Sequence, residues 1–339
     1  MKTLTVLTLL ATSALSAQTC DRACLENFVD LYMEALITHK PAQVPLAPRV
    51  KNTEDGVRLE PGDGFWRTAM GKGSYRLFTT DTDTGQVVFM GTMREVPNLP
   101  VIVMIRLKIA NRLITEVENF VVRDAASAKA FEDRGRPAEL FLAAIPTAQR
   151  ATRAALIQTA NSYYTGLQRN DGKGTYNFTA DCDRFQNGTQ TTNRTTPLPS
   201  PAPAPAGRGA VAPAPAPDPV LDRVLRMSCT DQFKSGYFNF ATRARDRRIV
   251  AVDRERGLVA VIFALDQASG KYRTFKMSDG REVTAGPAKP ETLAAAEIFK
   301  IEGGKIRRIE AVQINVPYGM VTGWSTWEDG MSEKAQDIK

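Results

Sequence analysis

The chain has 339 residues, with 44 Lys and Arg against 37 Asp and Glu, and one histidine. Its net charge of +7 is spread along the whole length and interleaved with acids, which argues against a nucleic-acid surface. A single histidine excludes a Ser-His-Asp pair in each half of a duplicated chain and argues against the usual zinc sites.

Lys2, the apolar run Leu4 to Leu15 and the small residues Ala14 to Ala17 have the three-part layout of a secretory signal peptide over residues 1–17, too short to span a bilayer. No later stretch reads as a membrane span. Cys20, Cys24, Cys182 and Cys229 form an even set in an exported chain, so disulfides are expected; of the three possible connectivities, Cys20–Cys24 with Cys182–Cys229 is favoured. Leu25, Phe28, Val29, Tyr32 and Leu36 recur at helical spacing and predict an amphipathic helix over 24–38. His39 follows it, either as a helix-end partner or as a general base. A Pro-rich turn and a short segment lead to a brief helical piece at Phe65 and Trp66. The period then changes, predicting strands over 75–80, 86–96, 101–110 and 113–123. Residues 125–144 read as helix, broken near Gly135 and Pro137, and 151–167 as a second amphipathic helix. Strands are expected over 247–253, 258–265, 295–301 and 305–316, the last two joined by a tight turn at Gly303-Gly304. Asp81 to Gly85 and Asp253 to Gly257 read as hairpin turns in preference to cation loops.

Between these halves lies a region of different composition. Asn177, Asn187 and Asn193 each open a glycosylation sequon. Residues 197–220 contain nine prolines alternating mostly with alanine, an extended, poorly packed insertion, and the Cys182–Cys229 bridge would enclose it.

The two halves repeat one another. Tyr32, Leu46 and Glu54-Asp55-Gly56 match Tyr164, Phe178 and Gln186-Asn187-Gly188 at a spacing of 132. Gly64, Phe65, Trp66, Arg76, Asp81 and Gly85 match Gly236, Tyr237, Phe238, Arg248, Asp253 and Gly257 at 172. Lys108, Ile109, Ile114, Val117 and Glu118 match Lys300, Ile301, Ile306, Ile309 and Glu310 at 192. The offset grows by 40 and then 20, so one domain occurs twice, at 18–146 and 147–327, with two insertions in the second copy and a tail at 328–339. Helices followed by strands imply an α+β fold in which a curved antiparallel sheet closes over the N-terminal helices.

The helix motif Tyr32-x-x-Ala35-Leu36, repeated as Tyr163-x-x-Gly166-Leu167, and the hairpin Phe299-Lys300-Ile301-x-Gly303-Gly304-Lys305-Ile306 resemble nuclear transport factor 2-like domains, the superfamily of ketosteroid isomerase and SnoaL. Asp181-Cys182-x-Arg184, Asn187-Gly188, Val252-Asp253-x-Glu255-Arg256-Gly257, Pro317-Tyr318-Gly319 and Gly323-Trp324 resemble a group of fungal secreted tandem proteins of that superfamily, over residues 20–327 without the Pro-rich insertion. The resemblance implies two tandem cone-shaped domains. It also implies cofactor-free acid/base chemistry (isomerase, dehydratase or cyclase) on a small organic molecule, with a dimerising cyclase of maleic-anhydride biosynthesis as its sharpest version. Gln186 stands where that group more commonly carries glutamate.

Such chemistry needs a carboxylate on an otherwise apolar face, where desolvation raises its proton affinity. Glu310 shares a strand face with Ile306, Val312 and Ile314, and a turn at Gly303-Gly304 sets Glu297 opposite it. The competing reading of that pair is a rim salt-bridge network with Arg308 and Lys300. Arg184 suits a substrate carboxylate, with Asp181 as base, or else both belong to a turn capping the insertion. Tyr318 and Trp324 follow the last strand, where a C-terminal segment would lid the cone or simply pack. The expected partner is a small molecule or glycan, with another pathway protein as a further option, and neither nucleic acid nor membrane. No cofactor or metal is expected. The rivals to an enzyme are a non-catalytic secreted binding module and a glycan-acting lyase. Because Asp181, Arg184, Glu297, Tyr318 and the cysteine-bracketed insertion occur only in the second copy, that copy is the expected seat of function.

Overall fold

The computed structural model describes residues 20–196 and 219–339. The signal-peptide segment 1–17 and residues 197–218 of the Pro/Ala tract lie outside the described residues; the last two of that tract, Pro219 and Val220, open a helix.

The first half begins with α1 (Arg22–Ile37), started by the Asp21 carboxylate, which accepts from the Cys24 amide and satisfies one orphan donor. Six strands follow: β1 (Leu46–Glu54), β2 (Val57–Arg58), β3 (Ala69–Asp81), β4 (Gln86–Glu95), β5 (Leu99–Ala110) and β6 (Leu113–Val122). They form one sheet in the order β2-β1-β6-β5-β4-β3. Two short helices, α2 (Ala125–Asp133) and α3 (Glu139–Leu142), separated at Gly135 and Pro137, lead into α4 (Arg153–Arg169). The second half then builds β7 (Phe178–Gln186), β8 (Thr189–Gln190), α5 (Pro219–Arg226), α6 (Cys229–Ser235), β9 (Arg243–Asp253), β10 (Leu258–Gln267), the small hairpin β11 (Thr274–Lys276) and β12 (Glu282–Thr284), and finally β13 (Glu291–Glu302) and β14 (Lys305–Pro317). After α7 (Trp327–Met331), a last strand, β15 (Gln336–Asp337), closes the chain.

The second sheet runs β15-β9-β10-β13-β14-β7-β8, which is the order of the first with one strand added at its β9 edge. The spacings found in the sequence hold in the backbone: β1 and β7 start 132 residues apart, β4 and β10 start 172 apart, and β5 and β13 start 192 apart. The architecture is α+β, with two large sheets built to one plan. One correction concerns strand direction. β1 and β7 are nine-residue strands, not short connectors, and each pairs parallel to its neighbour, β6 or β14, so neither sheet is wholly antiparallel. The residues 328–339, expected to be a tail, also belong to the fold: β15 pairs with β9, and Gln86 donates to the Ile338 carbonyl at 2.7 Å.

Pleat alternation gives each sheet two buried faces. One face of the first sheet packs on α1 around Tyr32, Trp66 and Phe89. The corresponding face of the second packs on α4 around Tyr163, Tyr164 and Phe299. The opposite faces meet each other in a third cluster that mixes Leu77, Met104 and Phe120 with Ala260, Ile262 and Ile298. The layers therefore run helix, sheet, sheet, helix. Reciprocal ion pairs tie the halves together: Arg22 of α1 donates to Asp253 with both terminal nitrogens at 2.8 Å, and Arg153 of α4 donates to Asp81 at 2.7 Å. Asp81 and Asp253 are the same position in the two copies, and each also ends a strand by accepting a turn amide, from Thr84 and Arg256 respectively. They are hairpin residues, as the sequence indicated. Such a self-complementary contact is the pattern of a two-fold dimer written into one chain.

Candidate functional site

The two insertions of the second copy meet over the α4 face of the second sheet. There, α5 from the first insertion and Gly286-Pro287 from the second wall a cavity of about 560 Å³. Leu221 and Val224 of α5 pack with Phe238 and Phe240 into an apolar wall, joined by Leu225, and amides of Gln186, Asn187, Gln313 and Asn315 also line the cavity. Its position is fixed covalently, because Cys182 of β7 is bonded to Cys229 of α6; Cys20 and Cys24 form the other disulfide, giving the favoured pairing.

Glu297 lies at the floor, only 2 % exposed, on the same face of β13 as Ala295 and Phe299. The Tyr164 hydroxyl of α4 donates to its Oε2 at 2.9 Å. Burial pushes the Glu297 carboxyl above its ordinary value, opposed by the Arg184 charge and the Tyr164 hydrogen bond. Arg184 reaches the same cavity from β7, where it donates to Gln186 Oε1 at 2.9 Å and lies near the Tyr163 hydroxyl, while its Nε has no well-formed hydrogen bond among the described residues. The Phe238 ring lies 5.9 Å from its guanidinium carbon. Burial also pushes the Tyr164 and Tyr163 phenols well up, so both are hydrogen-bond donors over the physiological range.

The first copy lacks this arrangement. Ile105 stands at the position of Glu297 and Asn52 at that of Arg184. Ile105 belongs to the apolar cluster of α1, where Trp66 stacks edge-on against Tyr32 at 5.2 Å. A second cleft, of about 580 Å³ along β1, is lined by exposed basic and proline side chains such as Arg49, Arg58 and Pro48 and has no buried carboxylate.

Of the residues singled out in the sequence, the structure brings together Arg184 and Glu297 and separates the others. Glu310 does not face Glu297. A bulge between Lys300 and Ile301, with Arg307 as the extra residue on β14, shifts the register so that Glu297 pairs with Ala311 and Glu310 with Ile298. That shift turns Glu310 to the sheet-sheet seam, with Val312 but not Ile306, and there it accepts from Arg134 at 2.8 and 3.0 Å and from the Tyr75 hydroxyl. Asp181 is on the opposite side of β7 from Arg184, its side chain 61 % exposed and held by Arg307 at 3.0 Å, and the Thr179 hydroxyl first and Arg307 second keep its carboxyl below the usual range. It cannot act as a base beside Arg184. His39 lies in the first half, in a left-handed backbone conformation after α1, with Nδ1 2.6 Å from the Trp66 carbonyl. Tyr318 is 48 % exposed in the turn after β14. Trp324 is no lid: its indole donates to Thr53 and lies under Lys51, on the first half.

The sequon asparagines all make side-chain hydrogen bonds within the fold. Asn187 donates to the Gln313 carbonyl, Asn193 to the Cys182 carbonyl and Asp183, and Asn177 to Ser162. Sequence reasoning missed Tyr164 as the partner of Glu297, having noted it only as the repeat match of Tyr32, and missed α5. The signal for α5 was present in Val220, Leu221, Val224 and Met227, an apolar stripe at helical spacing hidden behind the proline run.

These features define an α+β protein with an elaborated cavity in its second half that holds a buried acid. Compared with known families, the chain is similar to a domain of unknown function, DUF8021, over residues 149–313. That match takes in α4 through most of β14, hence the cavity, the disulfide and both insertions. No curated protein matches.

Proposed function

We propose that the protein is a secreted, cofactor-free proton-transfer enzyme of nuclear transport factor 2-like type, working in its second half. Glu297 is the base and Tyr164 its hydrogen-bonding partner. The observation that carries this reading is Glu297 itself, a carboxylate on the floor of a largely apolar cavity with a single hydroxyl donor and no salt bridge among the described residues. Structural acids in this protein are treated differently: Glu118 and Glu310 are equally buried but each faces a guanidinium at 2.7–2.8 Å. A desolvated, weakly compensated carboxylate takes a carbon-bound proton more readily than one in water. Isomerisation, dehydration and cyclisation of a small organic molecule all use that step. The two disulfides support an oxidising, extracytoplasmic location.

A substrate-independent test uses 5-nitrobenzisoxazole. Removal of its C3 proton by Glu297 breaks the ring N–O bond and releases a coloured cyanophenolate, with no other reactant needed. The wild-type protein should accelerate this reaction with a rate that rises with pH above the usual carboxylate range. Glu297→Gln should lower it by about 10²-fold or more, the ordinary contribution of a positioned base. Asp181→Asn should leave it unchanged. A Glu297→Gln protein as fast as wild type would refute the assignment.

A further inference from the structure

Among the fully buried arginines three meet acids and Arg247 is held by the Ala244 and Glu333 carbonyls and the Thr165 hydroxyl, whereas Arg184, half-buried in the cavity, has no acid partner among the described residues. Arg106, Arg245 and Arg248 each meet a carboxylate, at 2.6, 2.8 and 2.7 Å. Arg184 has a neutral amide on one nitrogen, an Nε with no well-formed hydrogen bond, and no salt bridge among the described residues. A cation walled by leucines and aromatic rings, with its own hydrogen bonds incomplete, is a costly arrangement unless an anion completes it. Glu297 does not do so: it feels the Arg184 charge without pairing with it.

Taking from the reading above only the location of the site, we infer that this cavity is a receptor for an organic anion. The carboxylate of that ligand seats on Arg184, and its flat apolar body lies against the wall formed by Phe238, Phe240 and the α5 leucines. The chemistry of the walls fits the two ends of such a molecule. Gln186, which contacts Arg184, and Asn187 and Gln313 give the same cavity a polar lining of amides, and Phe238, Phe240 and the α5 leucines give it a hydrocarbon one. A volume of about 560 Å³ falls within the span of small-molecule sites and accommodates a fused bicyclic body. The guanidinium fork selects a planar carboxylate over a point charge. Binding is also linked to Glu297, because an anion on Arg184 cancels the positive field that restrains protonation there. Ligand binding therefore takes up protons, and by reciprocity tightens as pH falls, as long as the ligand stays ionised.

Titration calorimetry on the full, disulfide-bonded chain at pH 7 tests this with three probes of one shape: 2-naphthoate, 2-naphthalenemethanol and 2-naphthylmethylammonium. Naphthoate should bind at least about tenfold more tightly than the alcohol, and the ammonium should bind weakest. Arg184→Gln should bring naphthoate down to the level of the alcohol, and Arg184→Lys should restore part of the preference. Arg307→Gln, which removes an exposed arginine away from the cavity, should leave it intact. Equal affinity for naphthoate and the alcohol, survival of the preference in Arg184→Gln, or no binding of any probe at millimolar concentration would each overturn the inference. Naphthoate selectivity without Glu297-dependent cleavage of the benzisoxazole would keep the ligand class and discard the acid/base reading. The reverse pattern would do the opposite.

Discussion

The ion pair between Glu118 of β6 and Arg248 of β9 joins the two halves at their most buried point, and removing one partner tests how strongly the seam holds. Arg248 donates to the two carboxylate oxygens at 2.7 and 2.9 Å, with side chains 1 % and 0 % exposed. Arg248→Met leaves Glu118 in the seam with Arg106 as its remaining cation, at 3.8 Å. A buried charge stripped of its partner costs about 3–5 kcal/mol, and the contact to Arg106 places the expectation near the lower bound, about 3 kcal/mol. Glu118→Leu should cost less, because Arg248 keeps Asp246 at 3.4 Å. The double variant should recover most of the loss, since methionine and leucine there would join the apolar seam formed by Phe120 and Ile262. Urea unfolding of all four proteins, followed by circular dichroism at one pH and salt concentration, gives the cycle. As a control, Arg307→Gln breaks an exposed pair with Asp181 and should cost no more than about 1 kcal/mol. If the double variant is as unstable as the sum of the singles, the pair is not coupled and the account of the seam is wrong.

Three further outcomes follow from the second half. Glu297 has its folded-state proton affinity raised above the ordinary value of 4.5, so the folded protein binds the extra proton and loses stability as pH rises from 4.5 through the folded value. Glu297→Gln should therefore unfold at higher temperature than wild type at pH 7–8, with the difference vanishing near pH 4; a constant gain at all pH values would contradict burial as the cause. Tyr164→Phe removes a hydrogen bond that favours the ionised carboxylate, so the pH profile of benzisoxazole cleavage should move to higher pH, and a shift to lower pH would reverse the proposed role of Tyr164. Replacing Cys182 and Cys229 together by alanine opens a loop with a sequence separation of 47, which the chain-entropy estimate values at about 4 kcal/mol, and should also weaken naphthoate binding by loosening α6 against β7. Unchanged stability and binding would show that packing alone holds the cavity wall.

The duplication was legible because its matches run without gaps through turns and buried positions. Gly56 and Gly188, for example, both follow a left-handed residue, Asp55 or Asn187, in the same two-residue turn, which demands positive φ twice. The parallel strands β1 and β7 were not legible. Their exposed outer residues, such as Pro48 and Arg49, blur alternation, and nothing local encodes a partner that comes some sixty or more residues later at β6 and over a hundred later at β14. At the site, Arg184 was named for its place beside the Cys182 bridge and Glu297 for a hairpin pairing with Glu310 that the structure does not contain, so Glu297 was reached by an argument that fails. Glu310 and Glu297 were wrongly set face to face because one extra residue, Arg307, reverses which side of the sheet everything beyond it faces. Asp181 failed for a simpler reason: residues three apart on a strand point to opposite sides. The growth of the repeat offset marked where the cavity would be. Loops that break an inherited spacing are where new walls can be added without disturbing the sheets beneath them.

The back-to-back seam has a consequence for how this molecule meets others. In a single-copy protein, a broad apolar sheet face such as that of Leu77, Met104 and Phe120 would have to find a second molecule, and its folding would depend on concentration. Here the companion surface is tethered to it, always present and always in the same stoichiometry. The two copies are thereby free to diverge: one can lose its hollow and become a foundation, while the other accumulates loops around a pocket whose alignment no longer depends on an encounter between separate chains.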